Sequence, residues 1–299
     1  MHRFFQAVPR KFALTSGLLF LSAMTTGGVQ AQDCNRACLT DVITKYLDAL
    51  AAHDPSRLPL AVDVRFTEDS HELKLGEGLW KTAIRMGGFR QDYLDLKGHI
   101  AAAHVNLFEA DTQVLHSVVL RVANQKITGI ETQVYRFKDD PTRKPPDSLD
   151  KPLVGMGVAV PAGQRMPRDE MIRVALTYTE GLRVGSFVEA KTAFAKEAYR
   201  MENGRYTAGE GCPSCPPMLA PGPRGIIRHP DIKASIAAVD EEEGIVLLWM
   251  NFGDTHTYGP GSALVTFEAF KIWGGEIHAV NAFFRFFPKD TERGWPSVE

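Results

Sequence analysis

Two ionisable side chains stand where strand alternation would bury them. In the run Val114-x-His116-x-Val118-x-Leu120-x-Val122 every second residue is apolar except His116, and alternate residues of a strand share one face. The run Leu264-x-Thr266-x-Glu268-x-Phe270-x-Ile272 repeats the pattern, with Glu268 on the apolar side and Lys271 on the other. A buried imidazole or carboxyl is costly unless it is hydrogen-bonded. Its pKa moves toward neutrality, which suits general acid–base chemistry. His116 and Glu268 are therefore the candidate catalytic residues. The structural reading beside this one makes each a core residue satisfied by a backbone group, with a cation on the same face as the natural partner for Glu268.

Other polar residues point to structural work. Glu68 and Glu202 each precede a turn, Asp69-Ser70 and Asn203-Gly204, and a feature present twice reads as support for a strand end. Trp80, in Gly76-Glu77-Gly78-Leu79-Trp80, lines a pocket or plugs a core. His99, His104 and His256 lack metal-site spacing, and no His-Glu-x-x-His, Gly-x-Gly-x-x-Gly or phosphate loop occurs. No metal and no cofactor are expected. The four cysteines, Cys34-x-x-x-Cys38 and Cys212-x-x-Cys215, read as two disulfides whose connectivity sequence leaves open. Pro216, Pro217, Pro221 and Pro223 after the second pair are loop chemistry rather than the helix start a redox pair needs.

The elements that position these residues come twice. Leu39, Val42, Ile43, Tyr46, Leu47 and Leu50 form one helical stripe, and Met171, Val174, Ala175, Tyr178 and Leu182 form another. Each predicted helix precedes a strand, ending Arg65-Phe66-Thr67-Glu68 or Tyr199-Arg200-Met201-Glu202. The closing strands match at offsets of about 145 and 150 residues: Ile100 to Asn106 with Ile245 to Asn251, and Lys126 to Glu131 with Glu276 to Asn281. His116 aligns with Thr266 and Val118 with Glu268, so the halves carry different polar residues on the same face. A helix before a curved antiparallel sheet makes each half an α+β unit. The units are placed at 32–138 and 169–290, with a Pro-, Asp- and Lys-rich linker at 139–168 and a tail at 291–299.

With 44% apolar and 23% charged residues the chain buries a sizeable core. Lys and Arg number 34 against 36 Asp and Glu, a balance without the basic footprint of a nucleic-acid binder. Residues 1–31 have a basic start, an apolar run and Val29-Gln30-Ala31, the pattern of a signal peptide cleaved before Gln32. The apolar run is too short and too interrupted to span a membrane. The mature chain is expected in the periplasm or secreted, off the membrane.

The opening helix, the strand ending and the final hairpin resemble the SnoaL-like branch of the nuclear transport factor 2-like superfamily. Tyr46-Leu47-Asp48-Ala49-Leu50, His53 to Leu60 and Leu75 to Trp80 further resemble exported bacterial and fungal proteins of unknown function. The resemblance implies a cone-shaped pocket per unit, with chemistry in cofactor-free members carried by His, Asp or Tyr in the cone. Ile245, Leu247, Trp249, Val265 and Phe267 leave an apolar outer sheet face that needs cover. With Ile100, Ala102, Phe108, Leu115 and Val119 opposite, the two sheets are expected to pack as an intramolecular pseudo-dimer in a monomeric chain. The functional expectation is a small-molecule-pocket protein, a cofactor-independent lyase, isomerase or dehydratase acting on a small apolar or aromatic compound. The alternative is a non-catalytic binding or scaffolding protein with filled pockets.

Overall fold

The two apolar stripes of period 3.6 form helices α1 (Arg36–Ala51) and α2 (Arg168–Val184). Asn35 caps α1 by accepting the Cys38 N–H at 3.0 Å, which satisfies one of the unpaired donors of the first turn. Gly185 ends α2 at φ 85°, the left-handed conformation glycine adopts without strain. This computed structural model describes residues 1–2, 34–140, 143–151, 153–219 and 226–298. The expected signal segment falls almost wholly outside the described residues.

Each helix covers a six-stranded curved sheet. The first comprises β1 (Leu60–Glu68), β2 (His71–Glu72), β3 (Ala83–Asp95), β4 (Ile100–Glu109), β5 (Thr112–Ala123) and β6 (Lys126–Arg136), in the order β2-β1-β6-β5-β4-β3. The second comprises β7 (Phe194–Glu202), β8 (Arg205–Gly209), β9 (Lys233–Asp240), β10 (Ile245–Asn251), β11 (Ser262–Trp273) and β12 (Glu276–Pro288), in the matching order β8-β7-β12-β11-β10-β9. The sheets are mixed rather than purely antiparallel. The first long strand of each half runs parallel to the last, β1 with β6 and β7 with β12, because the whole meander returns to the strand that follows the helix.

The registers reproduce the repeat residue by residue. Ile100 pairs with Arg121 as Ile245 pairs with Lys271, and Glu68 pairs with Thr132 as Glu202 pairs with Ala282. The turns repeat too. Asp69 and Asn203 take φ 55° and 46°, donate to Thr132 O and Ala282 O, and accept the N–H of Val134 and Phe284 through their side chains.

Three cores result. One lies between α1 and the even-numbered face of β5, and one between α2 and the matching face of β11. The third lies between the sheets, where Ile100, Ala102, Leu115 and Val119 meet Ile245, Leu247, Val265 and Phe267. Trp249 there is 3% exposed, and burying a large apolar side chain contributes ~1.5–3 kcal/mol. The sheets thus pack as an intramolecular pseudo-dimer. Phe108 departs from the expected set, half-buried beneath the Arg85 guanidinium. Both cysteine pairs are bridged locally, Cys34 to Cys38 and Cys212 to Cys215. Among the described residues of 139–168, short 3-10 turns at Phe137–Asp139, Asp147–Asp150 and Ala162–Gln164 precede α2, which begins at Arg168. The C-terminal stretch is no loose tail. Arg293 is buried against Glu131, with two hydrogen bonds of 2.8 Å, and Val298 reaches the inter-sheet core.

Candidate active site

Glu268 projects from the helix-facing side of β11 into a cavity of ≈290 Å³ beneath α2. Tyr178 descends from the buried stripe of α2, and Arg200 and Glu202 come from one face of β7. His229 and Tyr258 close the cavity from loops, and Arg143 reaches it from the linker. Glu268 is 2% exposed. Burial pushes its carboxyl up to about 8, with the push of Glu202 and against the pull of Arg200 and of the nearby Tyr178 hydroxyl. A carboxyl in that range carries its proton at neutral pH yet releases it readily, as proton transfer requires.

The positive charge beside it is fixed in place. Arg200 donates through Nη1 to the Tyr178 hydroxyl at 3.2 Å and through Nε to Thr207 Oγ1 at 3.0 Å, with Glu202 Oε1 3.3 Å from Nε. Burial disfavours the Arg200 cation, but Tyr178, Glu202 and Glu268 outweigh that and hold its pKa above the ordinary value. Burial likewise raises the Tyr178 phenol, reinforced by Glu268. His229 stacks parallel to Tyr258 at 5.9 Å and meets Phe252 edge-on at 4.8 Å. Burial lowers its imidazole to about 4, so it is neutral in the cavity wall.

His116 lies in the other cone, so the structure does not bring it together with Glu268. It is 1% exposed, stacked 6.2 Å from Tyr46, and neither ring nitrogen makes a well-formed hydrogen bond. Burial, with Arg136 nearby, lowers it to about 3. Trp80 packs edge-on against Tyr46 at 5.5 Å, and both rings are buried in the core beneath α1. Thr266, the counterpart of His116, donates to the Phe283 carbonyl at 3.2 Å. Glu68 accepts the Leu79 N–H at 2.8 Å and tethers the segment carrying Trp80. Burial raises it to about 7. Its counterpart Glu202 lines the open cavity instead.

Tyr178 was legible only as part of a helical stripe, and Arg200 only as part of a repeated strand ending. Strand parity puts Arg200 on the face of Glu202, which is the signal that could have named it the partner of Glu268. His229, Tyr258 and Arg143 come from loops with no period. Among the described residues no cluster of three or more His, Cys, Asp or Glu could hold a metal ion. No helix among them is long and apolar enough to cross a membrane.

Residues 164–284, the span holding Glu268 and most of its cavity wall, match a family described as a domain of unknown function, DUF8021. No curated protein matches the chain. Among solved structures, a de novo designed protein with a curved β-sheet is similar at 21% identity, covering 34% of this chain and 88% of its own, with a TM-score of 0.29. A protein from Kribbella flavida named as a "putative ketosteroid isomerase" is similar at 18% identity, covering 42% of this chain and 92% of its own, with a TM-score of 0.27.

Proposed function

We propose that the chain is an exported small-molecule-pocket protein of the SnoaL-like kind whose second cone carries out cofactor-independent proton transfer on a small apolar or aromatic compound. The observation that carries this reading is Glu268, a buried carboxyl raised to about 8 in the wall of an open cavity beside Arg200. In its ionised fraction Glu268 takes a proton from an acidic carbon next to a carbonyl. The guanidinium of Arg200 stabilises the oxyanion that forms, since preorganised charge in a water-poor cavity is the largest single contribution to many such reactions. Returning the proton to another carbon completes an isomerisation. Delivering it to a departing hydroxyl completes a dehydration. The aromatic walls, Tyr258, Phe252 and Phe284, favour an apolar substrate.

The first cone supports the second reading, a filled and inert pocket, because Tyr46 and Trp80 are buried in the core beneath α1. The test is a thermal-shift screen of small carbonyl compounds on the wild-type chain and on Glu268→Gln, since a pocket ligand raises stability by RT ln(1 + [L]/Kd). A stabilising compound that is turned over by the wild type and not by a folded Glu268→Gln variant is the expected result. Equal turnover by both, or no stabilising compound at all, overturns the proposal.

A further inference from the structure

Equivalent side chains in the two halves hold equivalent lengths of chain against the sheets, but only one of those lengths brings an aromatic ring. In the first half Arg65 donates to Gly294 O at 2.6 Å and Arg121 to Pro296 O at 3.0 Å. Between these anchors the Trp295 ring lies 4.4 Å from the Arg65 guanidinium carbon and 5.0 Å from that of Arg121, and its Nε1 donates to Thr67 at 2.8 Å.

The registers make Tyr199 the counterpart of Arg65, Lys271 that of Arg121 and Ala279 that of Gly129. Tyr199 donates to Val154 O at 2.6 Å, and Lys271 donates to the carbonyls of Met156 and Val158. Between the Val154 and Met156 anchors lies Gly155, and a Cβ added to it would meet nothing within 4 Å. A cavity of ≈550 Å³ occupies the space, lined among others by Gly155, Tyr199, Tyr206, Lys271, Trp273 and Ala279. It lies on the face of the second sheet opposite Glu268. Gly155 stands on its wall at the place in the strap that Trp295 takes in the first half.

Its charge differs from that of the Trp295 seat. The two guanidiniums flanking the indole are replaced by a phenol and by an ammonium already engaged with the backbone carbonyls of Met156, Val158 and Glu243. Two exposed carboxylates, Glu197 and Glu210, stand at the wall, Glu197 with one oxygen 2.7 Å from His278 Nδ1 and the other open to a ligand. Val154 and Val158, 77% and 63% exposed, leave apolar surface at the mouth, and aromatic walls with nearby carboxylates favour an organic cation.

We infer that this cavity is a binding site for a small aromatic amine, its ring seated where the first half seats the Trp295 indole and its ammonium toward Glu197 and Glu210. The Ala279 methyl, absent at Gly129, holds the ring slightly farther from the sheet than Trp295 sits. The site is independent of the proton-transfer cavity.

The test is calorimetric titration of the full chain with tryptamine, indole and indole-3-acetate at one pH. Tryptamine is expected to bind one to one, about tenfold more tightly than indole, with indole-3-acetate weakest. Val158→Arg, at an exposed rim position, is expected to weaken tryptamine by at least about tenfold without shifting the melting temperature. Tyr206→Ala is expected to weaken it likewise, while Glu268→Gln leaves it unchanged. Absence of tryptamine binding, equal affinity for all three compounds, or unaltered binding by the Val158→Arg variant overturns the inference.

Discussion

Asp95 and Asp240 close β3 and β9, and each accepts a bidentate guanidinium from the helix of the other half. Arg168, the first residue of α2, meets Asp95 at 2.9 and 2.8 Å, and Arg36, the first residue of α1, meets Asp240 at 2.9 and 3.0 Å. One backbone donor is exchanged each way as well. Val239 N–H donates to Asp95 and Leu94 N–H to Asp240, both at 2.9 Å. A cation at a helix N-terminus opposes the helix dipole, so these arginines act in the inter-half contact and not in their own helices. The pseudo-dimer is held by this reciprocal pair at its edge as well as by its apolar core.

Asp95→Asn is expected to destabilise the chain by ~3–5 kcal/mol, because the buried Arg168 guanidinium loses the carboxylate that neutralises it. Asp240→Asn is expected to cost less, since Arg36 is partly exposed and keeps Glu243 at 2.9 Å. Urea unfolding of the two variants checks the order. Equal losses would mean that the second carboxylate does not support Arg36.

Glu268 also sets a pH dependence of stability. Its folded pKa of about 8 lies above the ordinary carboxyl value of 4.5, so the folded state binds more protons than the unfolded chain between those values. Its stabilising contribution is complete below about pH 4.5 and is lost as pH rises through 8, to the extent of a few kcal/mol at 1.36 kcal/mol per unit. Glu68, raised to about 7, adds a loss of the same sign that ends lower. Chemical unfolding from pH 5 to 9 is expected to show a shallower decline for Glu268→Gln than for the wild type. Parallel curves would remove Glu268 as the titrating group.

The repeat, the two helices and the strand faces were legible because periods of 3.6 and 2 are written in the side chains. Register then followed from aligning the halves, as Glu68 with Glu202 and Val118 with Glu268 show. The parallel pairing of β1 with β6 was not legible, since nothing local records which distant strand lies alongside. The partner of Glu268 was half legible: a cation was expected, but Arg200 belongs to another strand and to the far side of a long connection. Trp295 was hidden in an apparent tail because its anchors are side chains donating to backbone carbonyls, a pattern without a period.

The disulfides close short loops, four and three residues apart in sequence. Loop-closure entropy for such rings amounts to about 2 kcal/mol each. Cys34–Cys38 brackets the Asn35 cap of α1, so Cys34→Ser with Cys38→Ser is expected to lower the melting temperature and fray the first turn. Thiol titration of the native chain should find no free cysteine. A melting temperature unchanged by reduction would show that the Asn35 cap alone holds the helix start.

The Trp295 seat depends on a residue that is not there. A Cβ on Gly129 would lie 2.7 Å from Cζ3 of the indole, closer than carbon atoms approach, and the ring is confined by Arg65, Arg121 and its bond to Thr67. Gly129→Ala is therefore expected to cost ~1–3 kcal/mol through overpacking, although alanine suits a strand better than glycine does. In a Trp295→Ala background the obstacle is gone. There the same substitution should be neutral or stabilising by up to ~1 kcal/mol, because it reduces the freedom of the unfolded chain. A double-mutant cycle from denaturant unfolding measures the difference. A coupling energy near zero would mean that Trp295 does not rest on Gly129 in solution, and would remove the seat from which the aromatic site of the second half is argued.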